Sequence, residues 1–272
     1  NTAVDLVHRN ASPRSAGFVN AVLRSALRHP ERSGLADAHQ SPAAHMAVAK
    51  SFPRWLITRW TDRLGEAAVG RLCDAINAVP PITLRCNRLK NSPAELAAAL
   101  TSQVEQVNIA DGVCGALNII GPRVPIAQMR AFTDGRFAVQ DGAAQLISLL
   151  LAPQPGETVL DACAGLGGKT THLAQLMQNC GDIVAMDNAP AKLACLEKEA
   201  RRLEIGVIRT RAVDLDRMPM DAPLPRFDRI LLDAPCSGLG VLRRNPDAKW
   251  SSQASDIARC ARRQARFLER VA

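Results

Sequence analysis

Residues 155–179 read PGETVLDACAGLGGKTTHLAQLMQN, and the fold turns on how this stretch divides. Pro155-Gly156 make a turn. TVLD is a short apolar run ending in an aspartate, the pattern of a buried strand. GGKTTHLAQLMQN has helical spacing, and the glycines between the two allow a tight reversal. The same alternation continues on both sides. AAQLISLLLAP (143–153) reads as a helix and GDIVAMD (181–187) as a strand. Asn188 can cap the next helix, with Pro190 in its first turn and Leu193, Leu196, Ala200 and Leu203 on its apolar face. VIRTRAVDL (207–215) and FDRILLDAP (227–235) read as further strands. Strands alternating with helices predict an α/β fold with a mostly parallel, Rossmann-like sheet.

In an open parallel sheet, ligands bind beyond the carboxyl ends of the strands. Here those ends carry Asp161, Asp187, Asp214 and Asp233. One such aspartate is usually a helix cap, but four at one edge point to a site. Gly165, Gly167 and Gly168 let a ligand approach the backbone, and the helix behind them offers unpaired N–H groups. Asp187 follows Gly165 by 22 residues, near the distance at which an acid reaches a ribose hydroxyl pair. GGKTT invites a phosphate-loop reading, but that motif needs a glycine where the chain has Cys163. GxGxxG fails as well. An adenosine compound without a phosphate chain fits better. S-adenosylmethionine has a ribose for Asp187, an adenine for Asp214 and an amino-acid tail for the glycine turn.

Upstream the pattern differs. Residues 2–28 read as helical with Phe18, Val22, Leu23, Ala26 and Leu27 on one face, 29–42 as a loop, and 43–77 as helices with Trp55, Leu56 and Trp60 on one face. Pro80-Pro81 stop the helices, ITLRCN alternates like a strand, and Ser92-Pro93 open a short helix. Short strands are expected over 103–139, and a last helix from Ser252 or Ser255 carries Ile257, Cys260, Ala261, Phe267 and Leu268. The expected division is 1–45, 46–140 and 141–272.

The chain has 272 residues, 47% of them apolar, with no uninterrupted apolar run long enough to span a bilayer. No signal peptide is expected from its first residues. It begins at Asn rather than Met and ends inside a helical pattern, so a fragment of a longer protein is expected. Eight cysteines form no CxxC and no zinc-ligand spacing with histidine, which argues against a secreted disulfide framework and against a metal site. Free thiols fit a reducing cytoplasm. The formal charge is +8, and residues 240–272 hold 8 basic against 3 acidic groups, a balance suited to a polyanion. Arg243 and Arg244 are the candidate RNA phosphate contacts. Without tyrosine, stacking platforms are scarce. His172 is expected on a helix face, Trp250 in the core, and Cys73, Cys86, Cys114, Cys180, Cys195 and Cys260 as simple packing.

DACAGLGGKTTHL, VAMDN, DLD and DAPCSGLGVLRRNPDAKW together resemble the RNA cytosine-C5 methyltransferases, most of all the bacterial 16S rRNA enzymes of the Sun/Fmu (RsmB) type. GFVNAVLR resembles the end of a NusB-like helical RNA-binding domain, and PPITLRCN through LDAC resembles the small domain leading into the catalytic one. So the likeness covers nearly the whole chain. The family commonly has Ala-Pro before Gly-Gly-Lys where this chain has Gly165-Leu166, a change that preserves the turn.

The resemblance implies a methyl-donor site for S-adenosylmethionine at Cys163, Ala164, Gly165, Leu166, Gly167, Gly168 and Lys169, with Asp187, Asp214 and Asp233. It places Asp233, Pro235 and Cys236 against the target cytosine. Covalent catalysis suits that base, because a thiolate adding to C6 makes C5 nucleophilic. Chemistry alone would make Cys236 the nucleophile. The resemblance instead gives that role to a second cysteine, in a Thr-Cys-Ser motif expected beyond Ala272, and gives Cys236 the resolution of the adduct. Cys163 is expected to touch the donor through its backbone. The chain as it stands is expected to be inactive, a monomer, and a partner of 16S rRNA. The competing readings are a tRNA enzyme, which the NusB-like start disfavours, a non-catalytic RNA-binding assembly factor, which has no need of Cys236, and a phosphate-loop NTPase, which Cys163 counts against.

Overall fold

The computed structural model describes residues 2–10, 13–29, 41–219 and 224–272. Two compact units result. One contains the chain up to Ala78 together with Val241–Ala254, and the other Val79–Gly240 with Ser255–Ala272. The chain passes between these units at 78/79, 240/241 and 254/255.

The first unit is helical: α1 (Thr2–Asn10), α2 (Pro13–Arg28), α3 (Pro42–Ala49), α4 (Arg54–Leu64) and α5 (Glu66–Asn77). The helical reading of 2–28 holds over Thr2–Asn10 and Pro13–Arg28, and Pro13, which has no N–H, opens α2. The apolar stripe predicted on that segment is exposed, with Phe18 at 71% and Leu27 at 83%. The core of the unit is Phe52, Leu56, Ile57, Val69 and Cys73. Phe52 meets Trp60 edge to face at 5.7 Å. Lys249 Nζ lies 4.0 Å from the centre of the Phe52 ring, and the lysine is buried. That corrects the expectation for Trp250, which is 60% exposed. A cation over an aromatic face takes the place the tryptophan was expected to fill.

The second unit holds two sheets. β1 (Ile82–Cys86), α6 (Pro93–Leu100), β2 (Val104–Ile109), β3 (Ala116–Pro122), α7 (Arg130–Thr133) and β4 (Phe137–Val139) form a βαββαβ motif. Its antiparallel sheet runs β2-β3-β1-β4. Ser92 caps α6 in a full capping box with Glu95, which fixes the first turn of that short helix. Leu84, Leu96, Leu100, Leu117, Ile119, Met129 and Phe137 make its core.

The larger sheet follows: α8 (Gly142–Leu151), β5 (Thr158–Asp161), α9 (Gly168–Leu176), β6 (Asp182–Asp187), α10 (Pro190–Arg202), β7 (Ile208–Ala212) and β8 (Arg229–Leu231). Its strands are all parallel in the order β7-β6-β5-β8, the Rossmann-like arrangement predicted. Strand periodicity decides the two faces. Val159 and Ile183 pack with Leu173, Met177, Ala200 and Leu203. Leu160, Val184 and Met186 point the other way, toward Leu215, Phe267 and Val271. Burial on both faces is why these strands read as continuous apolar runs. Of the last two helices, α11 (Ala248–Ser251) belongs to the first unit and α12 (Ala254–Val271) runs into the second.

Buried polar contacts join the two sheets into one body. Asn87 Nδ2 donates to Gly135 O at 2.8 Å and to Leu203 O at 3.1 Å. The Arg202 guanidinium donates to Phe132 O and Phe137 O and lies 3.8 Å from the Phe132 ring centre. Gly135, at φ +67°, sits where a Cβ would come 1.9 Å from Arg202 O, so no side chain fits there.

Candidate functional site

The site begins where β5 ends. Asp161 is buried, and its Oδ2 accepts the Thr170 hydroxyl at 2.7 Å. Burial raises its pKa to about 6, and the Thr170 hydroxyl and the Cys163 amide hold it from rising further. The chain then turns through Gly165 at φ +57°, with open space on its Cβ side, and Gly167 at φ +85°. A Cβ on Gly167 would come 2.4 Å from Leu196 Cγ, so α10 requires glycine there. The Cys163 thiol is pushed up to about 12, first by burial and then by Asp161, Asp187 and Asp233. It stays a thiol, which leaves its backbone as the part available to a ligand.

Asp187, the last residue of β6, is buried. Its Oδ2 accepts the Gly165 amide and its Oδ1 the Ala189 amide, both at 2.9 Å. One carboxylate therefore fixes both the glycine turn and the entry to α10. The predicted Asn188 cap is corrected accordingly: the N-cap of α10 is Ala189 without a side-chain bond, because Asp187 already serves the turn.

Asp214 lies two residues past β7, where Oδ1 accepts the Asp216 amide at 3.0 Å. Asp233 lies two residues past β8. Its Oδ2 is 2.6 Å from Lys169 Nζ, the second residue of α9, so the glycine turn and the DAPCSG turn are tied together. Cys236 is exposed, and its Sγ accepts the Gly238 amide at 3.4 Å. The Pro235 carbonyl accepts Gln264 Nε2 of α12 at 3.1 Å. Arg263 and Arg266 of the same helix bind Asp216 at 2.7 and 3.1 Å.

Cys163, Gly165, Asp187, Asp214, Asp233 and Pro235 line one cavity of about 220 Å³. Other predicted residues support it without lining it. Ala164 is buried, Leu166 is exposed, Gly167 backs onto Leu196, Gly168 opens α9, and Lys169 reaches Asp233. Arg243 and Arg244 fall in the first unit, where Arg243 Nε donates to Ala78 O at 3.1 Å. The cavity also has walls that the sequence reading missed: Asn188, Lys192, Val213, Leu215, Arg263 and Phe267. Val213 and Leu215 flank Asp214, and their alternation with it was a usable signal. Arg263 and Phe267 had none, since only the fold brings α12 to the strand ends.

Two further expectations are corrected. His172 is buried rather than on an open helix face, and burial, aided by the Arg85 charge, lowers its pKa to about 3. Cys73 and Cys86 are buried, but Cys114, Cys180 and Cys195 are exposed. Helix and loop positions alone did not show which thiols meet another element. Among the described residues there is no cluster of three or more metal-ligating side chains, and no helix long and apolar enough to cross a membrane.

The donor set fits S-adenosylmethionine better than a nucleotide phosphate. The only glycine-turn lysine is engaged by Asp233 rather than facing a phosphate. Each Asp187 oxygen keeps a lone pair for a hydroxyl beyond its backbone bond. Val213, Leu215 and Phe267 give an apolar wall for a flat ring.

Comparison with known proteins agrees. Residues 148–272 match the family described as 16S rRNA methyltransferase RsmB/F, and residues 52–126 match the RsmF/B-like ferredoxin-like domain. The probable ribosomal RNA small subunit methyltransferase B of Bacillus subtilis (strain 168) is 36% identical over 271 residues, 99% of this chain and 60% of that protein. The ribosomal RNA small subunit methyltransferase B of Pasteurella multocida (strain Pm70) is 38% identical over 93% of this chain and 55% of its own length. The chain thus spans less than two thirds of these curated relatives. Among solved structures, that of PH0851 matches with a TM-score of 0.83 at 29% identity, covering 98% of this chain and 59% of that one. A methyltransferase homolog protein from Pyrococcus horikoshii matches with a TM-score of 0.70 at 28% identity, covering 83% and 70%. The cofactor of methyltransferases with this Rossmann-like fold is S-adenosylmethionine. With its ferredoxin-like sheet, its glycine turn and its DAPCSG turn all in place, the chain carries the two RsmB/F-type domains that these family models describe, over residues 52–126 and 148–272.

Proposed function

We propose that this chain holds S-adenosylmethionine in the cavity at the strand ends and serves methyl transfer to C5 of a cytosine in RNA, 16S rRNA in the first place. The observation that carries this reading is the 2.6 Å contact between Lys169 and Asp233, which joins a donor-shaped cavity to the turn bearing Cys236. When bound, the donor supplies a methyl group on a sulfonium centre. Asp187 holds its ribose, the Cys163–Gly168 backbone its amino-acid tail, and Asp214 its adenine.

Asp233 faces the target base. Addition of a thiolate to C6 places developing charge on N3, and the Lys169–Asp233 pair supplies a proton there. After methylation a base takes the C5 proton, the C6–S bond breaks with its electron pair leaving on the thiolate, and N3 returns its proton to the Lys169–Asp233 pair, which restores the ring. Cys236 serves that second half. The sequence has no Thr-Cys-Ser motif. In this reading the first thiolate comes from outside these residues, and the chain by itself binds the donor without turnover. Arg243 and Arg244, both exposed, contact RNA phosphates, and the NusB-like helices add to that surface. The protein acts as a cytoplasmic monomer without a metal.

Calorimetric titration with S-adenosylmethionine, with ATP as control, tests the donor site. Binding of the methyl donor alone, lost in Asp187→Ala, is expected; binding of ATP alone would sink the reading. Tritium release from RNA labelled at cytosine C5 tests the chemistry. Label released by the 272-residue chain alone would refute the requirement for a second thiol.

A further inference from the structure

Arg85 sits in β1 of the small sheet, outside the cavity, and is buried to 1% exposure. No carboxylate lies within ion-pair distance of it among the described residues. Its guanidinium instead ends on neutral acceptors. Nη1 donates to Gln140 Oε1 at 2.6 Å and to Gly168 O at 2.5 Å, and Nη2 donates to Thr171 Oγ1 at 2.8 Å. Burying a cation without a counter-charge is costly, and burial draws this one down to about 9. A position filled at such a cost calls for a gain elsewhere, and the acceptors identify it.

Gly168 is the last glycine of the donor turn. Thr171 Oγ1 accepts the Arg85 N–H and donates its own hydroxyl to Gly167 O at 2.8 Å. The two final carbonyls of the turn are thus held by one guanidinium, directly at Gly168 and through a hydroxyl at Gly167. The front of the same turn is held by Asp187 at the Gly165 amide. The turn is clamped at both ends, once from the larger sheet and once from the small domain. A planar fork suits the rear clamp, because it delivers two N–H groups to neighbouring acceptors in fixed geometry, which a lysine does not.

We propose that Arg85 is a positioning residue for the methyl donor. Through Gly168 and Thr171 it sets the backbone of the glycine turn, so the small domain is part of the donor site although it does not line the cavity. This rests on the donor-site reading above. It gives the small domain a role in cofactor affinity as well as in packing.

Three variants of the chain separate positioning from packing, each measured for S-adenosylhomocysteine affinity by calorimetry and for thermal midpoint. Arg85→Lys keeps the charge and loses the fork. Thr171→Val keeps the shape and loses the relay, and it carries the test if Arg85→Lys does not fold. Asn87→Ala removes a different buried bond between the sheets, at Leu203, together with one to Gly135, away from the turn. Arg85→Lys is expected to weaken binding about tenfold, within the usual range for coupling between linked sites, and Thr171→Val in the same direction. Asn87→Ala should lower the midpoint and leave affinity unchanged. Wild-type affinity in a folded Arg85→Lys or Thr171→Val overturns the proposal. So does a loss of affinity that follows the midpoint across all three, which is the mark of a structural role alone. A wild-type chain that binds no donor overturns the donor site itself, a separate result.

Discussion

The two turns that face each other across the cavity are built differently. The glycine turn after β5 is packed and bonded from behind: Asp161 with Thr170, Asp187 with Gly165, Gly167 against Leu196. The DAPCSG turn after β8 stands open, with the Asp233 side chain 54% exposed and Cys236 exposed. Its tethers are Lys169, Gln264 and the Gly238 amide. A small cofactor is best met by a preformed site, since the protein need not reorganise when it binds. An RNA base arrives with its own surroundings and must leave its stack, so an open turn suits it. In the proposed function, the difference gives preorganisation to the donor half and adaptability to the acceptor half.

Thiol labelling should show the contrast most strongly. At pH 8 burial keeps Cys163 protonated, with its pKa near 12, and alkylation of it should be roughly a thousandfold slower than that of Cys236. Peptide mass spectrometry over time reads both, and equal rates would break the comparison. Next in size is Asp187→Ala, which removes the acceptor of two backbone amides and the proposed ribose contact. A loss of about a hundredfold in donor affinity, or ~2.7 kcal/mol, is expected by titration.

A pH series sharpens the same point. His172 is held at about 3 against an ordinary 6.5, so the folded chain refuses a proton that the unfolded chain accepts between those values. Its stabilising contribution is complete above 6.5 and is lost as pH falls toward 3, at up to about 1.4 kcal/mol per pH unit. Asp161, raised to about 6, works the other way: its contribution is complete below 3.8 and is lost as pH rises through 6. Urea midpoints of wild type and His172→Gln from pH 7 to about pH 4 separate the two. An acid loss that persists undiminished in His172→Gln would remove the buried neutral histidine from the account. The smallest effect belongs to the open half. Gln264→Ala deletes one bond to Pro235 O, and chemical unfolding should register about 0.5–1.5 kcal/mol. A loss several times larger would mean that the DAPCSG turn is as firmly built as its counterpart.

Much of the larger sheet was legible in the sequence because its signals are local. Strand and helix periods alternate from residue 143 onward, glycines stand where φ turns positive, and aspartates close the strands. The candidate site was legible for the same reason: Gly165, Asp187, Asp214 and Asp233 are each marked by their place at a strand end. The two-sheet body was not. Nothing near PPITLRCN indicates that Arg85 will meet Gly168 and Thr171, more than 80 residues away.

What the sequence determined by itself is therefore the α/β class, the edge at which the site lies and the residues that turn the chain there. These follow from backbone sterics and from the repeat of apolar side chains, which act within a few residues. Tertiary structure alone decided that Lys169 ends on Asp233, that Arg85 and His172 are buried while Trp250 is not, and that α12 walls the cavity. A side chain's burial and partner depend on which surface lies opposite it, and that surface comes from a distant part of the chain.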